Sequence, residues 1–132
     1  MNGLLLDTHI FLWYVTNDIR LSSEITRQID EATLVQLSIA STWEISIKVG
    51  LGKVKLDRPL SDLVGSILFD KNIDILPISE SDVLAYANLS FPNAQHRDPF
   101  DRMLVVQAAE RGLTLLTSNA VLESYGIFVT VV

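Results

Sequence analysis

The sequence predicts an α/β domain in which a mainly parallel sheet is flanked by helices. Short apolar runs alternate along the chain with longer amphipathic runs, which is the pattern of strands and crossover helices. The 132 residues, 48% of them hydrophobic, suffice for one substantial core and are too few for two ordinary domains. No Gly/Ser-rich or Pro-rich linker and no internal repeat divides the chain. We therefore expect one domain over residues 1–132.

Five strands and their connecting helices are predicted in the order βααβααβααβαβ. The strands are GLLLD, TLVQLSI, IDILPI, TLLTS and IFVTVV, at residues 3–7, 33–39, 73–78, 114–118 and 127–132. Helices are expected at 9–17, 22–32, 41–52, 58–72, 79–90, 99–111 and, as a short turn, 119–126. Ser79 and Asp82 stand at capping-box spacing, while Pro99 and Gly112 suit the start and end of one helix.

Composition narrows the classes of protein and of partner. The chain has no cysteine, which excludes disulfides, thiol catalysis and Cys-based zinc sites. It has no apolar run near the roughly 20 residues that a membrane-spanning helix needs. We expect a cytoplasmic protein with no membrane partner. The net charge of −6 argues against nucleic acid, but four of the ten basic residues lie within KVGLGKVKLDR, at 48–58, and predict a local positive patch.

Polar side chains follow the ends of several predicted strands. Asp7 ends the first strand, Glu44 lies in the helix after the second, Asp98 and Asp101 open the helix before the fourth, and Asn119 follows the fourth. In an open parallel sheet these ends form the ligand-binding edge. Four converging carboxylates would repel one another unless a cation neutralises them. Oxygen-only ligands favour Mg²⁺ or Mn²⁺, so a metal site of Asp7, Glu44, Asp98 and Asp101 is predicted.

Each of these acids also has a purely structural explanation. Asp7 and Asp98 suit helix caps, Glu44 is placed to pair with Lys48 at i, i+4, and Asp101 gains from the helix dipole. Their coincidence on one edge favours the metal site over these separate explanations. Four aromatic residues at helical spacing are expected in the core rather than on a base-stacking surface: Phe11, Trp13, Tyr14 and Trp43.

The motifs LLLDTHIFLWYV, STWEISIKVGLGKVKL, HRDPFDRMLVVQAAERG and LLTSN resemble, in that order, those of PIN-domain ribonucleases of the VapC toxin type. The resemblance covers essentially the whole chain. It implies a three-layer α/β/α sandwich and Mg²⁺- or Mn²⁺-dependent endonucleolytic cleavage of RNA. It also implies a VapB-like antitoxin encoded beside the toxin, and a homodimer.

By motif, the resemblance assigns Asp7, Glu44 and Asp101 as the acidic ligands. Asp98 is the additional acid of the DPFD variant and is expected to share the site. The position after the fourth strand often carries Asp in the family, whereas this chain has Asn119. Because an amide lacks the negative charge, we expect one firmly held ion rather than two. The mechanism expected is hydrolysis of RNA by a metal-activated water, leaving 5′-phosphate and 3′-hydroxyl ends.

The basic residues are the candidates for binding RNA phosphates, and they are Lys48, Lys53, Lys55, Arg58, Arg97 and Arg102. A solvated basic turn explains the lysines equally well, and Arg102 is also placed to hold Asp98. Two other classes remain open. One is phosphoryl transfer with Asp7 as the nucleophile. It is disfavoured because a second Asp would be expected two residues after Asp7, where this chain has His9. The other is a catalytically weakened PIN-like module that binds RNA or a partner, with Asn119 as its sign.

Overall fold

The computed structural model describes residues 3–90 and 98–132. Its five strands are β1 (Leu4–Leu6), β2 (Val35–Ser38), β3 (Ile73–Leu76), β4 (Thr114–Thr117) and β5 (Val129–Val131). They form one sheet in the order β3-β2-β1-β4-β5, and all four neighbouring pairs are parallel. The prediction of a mainly parallel five-stranded sheet is confirmed.

Within residues 3–90 and 98–132, six α-helices connect the strands in the predicted order. They are α1 (Thr8–Val15), α2 (Ser23–Glu31), α3 (Ile39–Gly50), α4 (Leu60–Asp70), α5 (Glu80–Ala87) and α6 (Pro99–Arg111). The short turn before β5 is a 3₁₀ helix at Ala120–Tyr125. Most boundaries differ from the predicted ones by one to three residues, whereas those of α6 agree. At one of them, β2 passes directly into α3, and Ser38 serves as the cap of that helix.

Local sequence signals explain where the helices begin and end. The Ser79 hydroxyl accepts from the Asp82 amide at 3.2 Å, and the Asp82 carboxylate accepts from the Ser79 amide at 3.0 Å, so the capping box forms. Pro99 occupies the first turn of α6. That helix ends at Gly112, whose φ of 64° lies in the left-handed region that glycine adopts without steric cost.

Helices cover both faces of the sheet. Along β1, Leu4 and Leu6 pack into the core beneath α1 to α4, whereas Leu5 packs with α6 and the 3₁₀ helix on the opposite face. This alternation follows from the two-residue period of a strand, and both faces of β1 are apolar because both are buried. The result is the expected three-layer α/β/α arrangement.

The strand order reverses between β1 and β4. The chain moves from β1 through β2 to β3 on one side, and then crosses to β4 and β5 on the other. Parallel sheets bind ligands beyond the carboxyl ends of the strands at such a reversal. Asp7 follows β1 there, and Asn119 follows β4. Within residues 3–90 and 98–132, no helix is long and apolar enough to cross a membrane.

Candidate active site

Asp7 is buried at the carboxyl end of β1, where it caps α1. It is 4% exposed, and its Oδ1 accepts from the His9 amide at 2.9 Å. Its Oδ2 accepts from the Thr117 hydroxyl on β4. Burial raises the pKa of Asp7 above its usual value, and the nearby Glu44 charge raises it further, although the hydrogen bonds from Thr117 and His9 lower it. The carboxylate form of Asp7 is therefore less favourable here than it is in water.

Glu44 approaches Asp7 from α3. It is 9% exposed, and its Oε1 accepts from the hydroxyl of Thr8, the residue that follows Asp7, at 2.7 Å. Its Oε2 lies 3.0 Å from the Lys48 ammonium, one helical turn further along α3. The structural explanation of Glu44 as an i, i+4 partner of Lys48 therefore holds together with its position beside Asp7.

Asp101 is linked to Asp7 through β4. Its Oδ2 accepts from the Asn119 side-chain amide at 3.4 Å, and the Asn119 backbone amide donates to the Thr117 hydroxyl at 3.0 Å. Thr117 in turn donates to Asp7. The Asn119 side-chain oxygen, Oδ1, accepts from the Val121 amide at 3.1 Å, so Asn119 also caps the 3₁₀ helix. A continuous chain of hydrogen bonds thus joins Asp7, Thr117, Asn119 and Asp101.

Asp98 lies at the start of α6 and is exposed. Its Oδ1 accepts from the amides of Phe100 and Asp101, at 2.9 and 3.0 Å, which is the geometry of a helix cap. Asp98 and Asp101 therefore differ in environment, since Asp101 is half-buried and bonded to Asn119. This difference favours Asp101 as the acid that belongs to the Asp7 cluster.

The predicted acids come to one edge of the sheet but do not form a closed cage. Among the residues that the structure describes, no three or more His, Asp or Glu side chains are grouped so that they could hold a metal ion. The donor chemistry nevertheless suits Mg²⁺ or Mn²⁺, because the acids there offer oxygen ligands. The raised pKa of buried Asp7 points to the same kind of partner, since a nearby cation would favour its charged form.

Two threonines complete the site and were not predicted from the sequence. Thr8 holds Glu44, and Thr117 holds Asp7. A signal for Thr117 was present in the strand register: Leu6 of β1 pairs with Leu116 of β4, so the next residues, Asp7 and Thr117, emerge side by side. Using that signal requires knowing that β1 and β4 are neighbours, which the sequence pattern does not reveal.

The predicted RNA-binding residues differ in how exposed they are. Lys53, Lys55 and Arg58 are exposed in the segment between α3 and α4. Lys55 and Arg58 line a cleft of about 360 Å³ beside the end of α1. Lys48 is half-buried and is engaged with Glu44. Arg97 lies outside the described residues.

Arg102 does not belong to the positive patch, and its predicted role in binding RNA phosphates is wrong. It is 1% exposed, and its guanidinium donates to the carbonyls of Leu89 and Ser90 at 2.9 and 3.3 Å. It also donates to the Tyr125 hydroxyl at 2.8 Å and lies over the Tyr86 ring. Arg102 therefore joins α6 to the end of α5 and to the 3₁₀ helix, where a phosphate cannot reach it.

The aromatic residues divide between the core and the surface. Phe11 and Tyr14 are buried, as expected, and Trp13 packs partly against the same core. Trp43 is 58% exposed, so its expected place in the core is wrong. Its ring meets the edge of Phe100 at a centroid distance of 5.1 Å. The two rings border an apolar cleft of about 320 Å³ that α5 and α6 complete.

Comparison with known proteins places this architecture in a family. The family model of the PIN domain matches residues 4–127. The chain belongs to the PIN-domain family. This PIN domain is 28% identical over 125 residues to "Ribonuclease VapC22" of Mycobacterium tuberculosis (strain ATCC 25618 / H37Rv), covering 95% of this chain and 93% of that protein. The resemblance to VapC-type PIN domains is thereby confirmed.

Two solved structures share the fold of this PIN domain. DNA-bound VapBC from Salmonella typhimurium has a TM-score of 0.67 at 19% identity, covering 98% of each chain. VapBC2 from Rickettsia felis, bound to a DNA fragment from its promoter, has a TM-score of 0.62 at 17% identity, covering 89% of this chain and 88% of that one. At such low identity, these likenesses establish the three-layer fold alone.

Proposed function

We propose that this PIN domain is a divalent-metal-dependent endoribonuclease that acts as the toxin of a VapBC-type pair. One observation carries the proposal. Buried Asp7 is joined through Thr117 and Asn119 to Asp101, at the edge where parallel sheets bind ligands, with Glu44 close by. The likeness to a protein named a VapC ribonuclease supports RNA as the substrate.

Asp7, Glu44 and Asp101 would hold Mg²⁺ or Mn²⁺, with Asp98 at the exposed rim. When bound, such an ion would polarise a water molecule and stabilise negative charge on the phosphoryl oxygens. The chain's own groups prepare the ligands: the Thr117 hydroxyl fixes the orientation of Asp7, and the Thr8 hydroxyl fixes that of Glu44. Asn119 orients Asp101 without adding a charge, which is consistent with one firmly held ion.

We assign the backbone of the RNA to the exposed segment between α3 and α4. Lys53, Lys55 and Arg58 lie there without burial, so their charges are accessible to phosphates. Lys55 and Arg58 border a cleft at the C-terminal end of α1, and Asp7 caps the opposite end of that helix. Arg97 remains a candidate of the same kind, predicted from the sequence alone.

The partners of the proposed toxin are a VapB-like antitoxin and a second copy of the chain. The antitoxin is proposed because the structural relatives were solved as VapBC assemblies. For the dimer, α3 and its C-cap residue present an exposed apolar stripe at a four-residue spacing, and these residues are Ile39, Trp43, Ile47 and Leu51. Exposed Val83 and Leu84 of α5 extend it. Trp43→Lys should lower the sedimenting mass, whereas Phe69→Lys, at a 93% exposed site elsewhere, should not.

A second candidate function is a binding module with a degenerate metal site. Two observations favour it: the neutral Asn119 beside Asp101, and the lack of a closed acidic cage within the described residues. This candidate predicts RNA binding without cleavage. The cytoplasmic location stays a prediction under either function.

Cleavage of a total-RNA pool by antitoxin-free protein is the deciding experiment. Reactions with Mg²⁺, Mn²⁺ or EDTA are compared, and the ends of the fragments are mapped. We expect metal-dependent cuts that leave 5′-phosphate and 3′-hydroxyl ends. A purified protein encoded beside this chain should suppress them if it is the antitoxin.

The matched control for this experiment is an Asp7→Asn/Asp101→Asn variant whose circular dichroism spectrum matches the wild type. Cuts that persist in this variant would come from a contaminating nuclease. Ends carrying a 2′,3′-cyclic phosphate would overturn hydrolysis by water, because such ends arise from attack by the RNA 2′-hydroxyl. RNA binding and Mn²⁺ binding without any cleavage would favour the binding module.

A further inference from the structure

Lys48 is the basic side chain placed closest to the acidic ligands in the described part of the chain. Its ammonium lies 3.0 Å from Glu44 Oε2, and the Lys48 and Glu44 side chains are only 29% and 12% exposed. The carbonyl of Lys48 accepts from the amides of Lys53 and Val54 at 2.9 and 3.3 Å, so the turn after α3 anchors this residue.

An exposed pair of the same spacing on α2 shows why this arrangement is unusual. Arg27 lies 2.9 Å from Glu31 at i, i+4, but both side chains are more than half exposed, at 58% and 63%. Exposed pairs of this kind contribute little to stability. A pair that is largely removed from solvent interacts more strongly, and removing one partner leaves a buried charge without compensation.

The charge of Lys48 meets an oxygen that the proposed metal site also needs. Glu44 Oε1 accepts from the Thr8 hydroxyl and Oε2 contacts the Lys48 ammonium, so each oxygen already has one partner. Glu44 also adds to the negative potential at Asp7. An ammonium at this position therefore neutralises part of the charge that a divalent ion would otherwise neutralise.

We propose that Lys48 is the internal counter-cation of the site: it neutralises Glu44 in the ion-free protein and competes with the divalent ion for Glu44 Oε2. Lys48 then sets the affinity of the site for the ion rather than binding phosphates in the resting state. The competition half rests on the proposed function. The counter-cation half concerns the ion-free protein and does not depend on catalysis.

The counter-cation half is tested by a double-mutant cycle in EDTA. Lys48→Met keeps the apolar part of the side chain and its helix propensity while removing the charge. We expect Lys48→Met to lower Tm by about 3 °C or more in the wild-type background and by much less in a Glu44→Gln background. Arg27→Met, the matched control on α2, should lower it by less than about 1 °C. Equal losses in the two Glu44 backgrounds would overturn the counter-cation.

The competition half is tested by titrating Mn²⁺ into the same proteins, followed by calorimetry or by the spin resonance signal of free Mn²⁺. We expect Lys48→Met to bind Mn²⁺ about three- to tenfold more tightly than the wild type, because no ammonium has to leave Glu44. Lys48→Arg keeps the charge and should remain close to the wild type, as should Arg27→Met.

The outcomes separate this inference from the proposed function. If the wild type binds Mn²⁺ and Lys48→Met binds it equally or more weakly, competition is wrong and the proposed function stands. If the wild type and Lys48→Met both fail to bind Mn²⁺, the metal-dependent function fails together with the competition, while the cycle in EDTA still decides the counter-cation. A flatter salt dependence of RNA binding in Lys48→Met, with unchanged Mn²⁺ affinity, would reassign Lys48 to the RNA.

Discussion

Two buried carboxylates in this PIN domain have pKa values that are shifted in opposite directions. Asp82 in the first turn of α5 is 1% exposed, and Arg111 of α6 binds both of its oxygens, at 2.8 and 3.0 Å. Gln107 and the Ser79 amide add bonds of 3.1 and 3.0 Å. Burial alone would raise the pKa of Asp82, but these hydrogen bonds and the Arg111 charge outweigh it and lower the pKa to about 2.

Asp7 is also buried, yet the balance has the other sign. Burial raises its pKa, and the hydrogen bonds from Thr117 and His9 do not outweigh that effect. Arg111 of α6 thus neutralises Asp82 of α5, and this ion pair holds the two helices together. A cation bound at this edge would favour the charged form of Asp7. Perturbed acids of the second kind gather at functional sites, which is why the carboxyl edge, rather than the α5–α6 interface, carries the proposed activity.

Replacing Asp7 should greatly lower the rate of RNA cleavage while leaving the stability of the protein nearly unchanged. Asp7→Asn should lower the rate of RNA cleavage on the order of 10³-fold, because a charged ligand of the proposed ion is removed. The free energy of unfolding in EDTA should stay within about 1 kcal/mol of the wild type or rise, since the buried charge disappears. Cleavage assays and urea unfolding measure the two quantities. A large loss of stability would place Asp7 in the same class as Asp82.

The reverse result is expected at Asp82. Asp82→Asn should lower the free energy of unfolding by about 3 kcal/mol, because the Arg111 guanidinium loses its charged partner in a largely buried site. Mn²⁺ affinity, measured well below the melting temperature, should not change. Restoring stability with Arg111→Met in the Asp82→Asn background would confirm that the unpaired guanidinium causes the loss.

Acid should reveal the contribution of Asp82 directly. Because its pKa is lowered to about 2 in the folded state, Asp82 stabilises the protein fully above its unfolded pKa of about 4. That contribution should be lost as the pH falls from about 4 towards about 2. The difference in unfolding free energy between wild type and Asp82→Asn should therefore shrink between about pH 4 and about pH 2, as measured in EDTA by urea titration. A constant difference would contradict the lowered pKa.

Replacing Asn119 by an acid should make the stability of the protein depend more strongly on a bound cation. Asn119→Asp keeps the oxygen that caps the 3₁₀ helix but places a second charge beside Asp101, whose Oδ2 lies 3.4 Å from the present amide nitrogen. In EDTA, repulsion should lower the free energy of unfolding by about 1 kcal/mol, and saturating Mg²⁺ should reverse the loss. The measurement is the Mg²⁺-induced rise in Tm relative to the wild type. An equal rise in both proteins would separate Asn119 from the metal site.

The smallest expected effect concerns the exposed lysines. Replacing Lys53 and Lys55 together by Met should reduce the salt dependence of RNA binding by about 0.7 for each phosphate that is no longer neutralised, with little change in stability. Fluorescence anisotropy of a labelled single-stranded RNA at several salt concentrations gives the slope. If the slope is unchanged, these lysines are solvated residues of the turn and not part of the interface.

Much of the candidate site could be located from the sequence because its acids stand next to local signals. Asp7 ends an apolar run typical of a strand. Asp98 caps a helix marked by Pro99 and Gly112, and Asp101 lies in its first turn. Knowing the strand ends is enough to bring such residues to one edge. The environment of each acid was not predictable, because hydrogen-bond partners come from distant parts of the chain: Thr117 is separated from Asp7 by 110 positions.

The elements, their order and the edge at which the acids gather follow from the amino-acid sequence, because hydrophobic periodicity and helix caps act over a few residues. Which charges are structural depends on the packing of distant parts of the chain. Arg102 is buried because the carbonyls of Leu89 and Ser90 and the Tyr125 hydroxyl meet around it. Helical spacing assigns a residue to a face of its helix, but what packs against that face depends on how the layers assemble, and this determines which charges are available for chemistry.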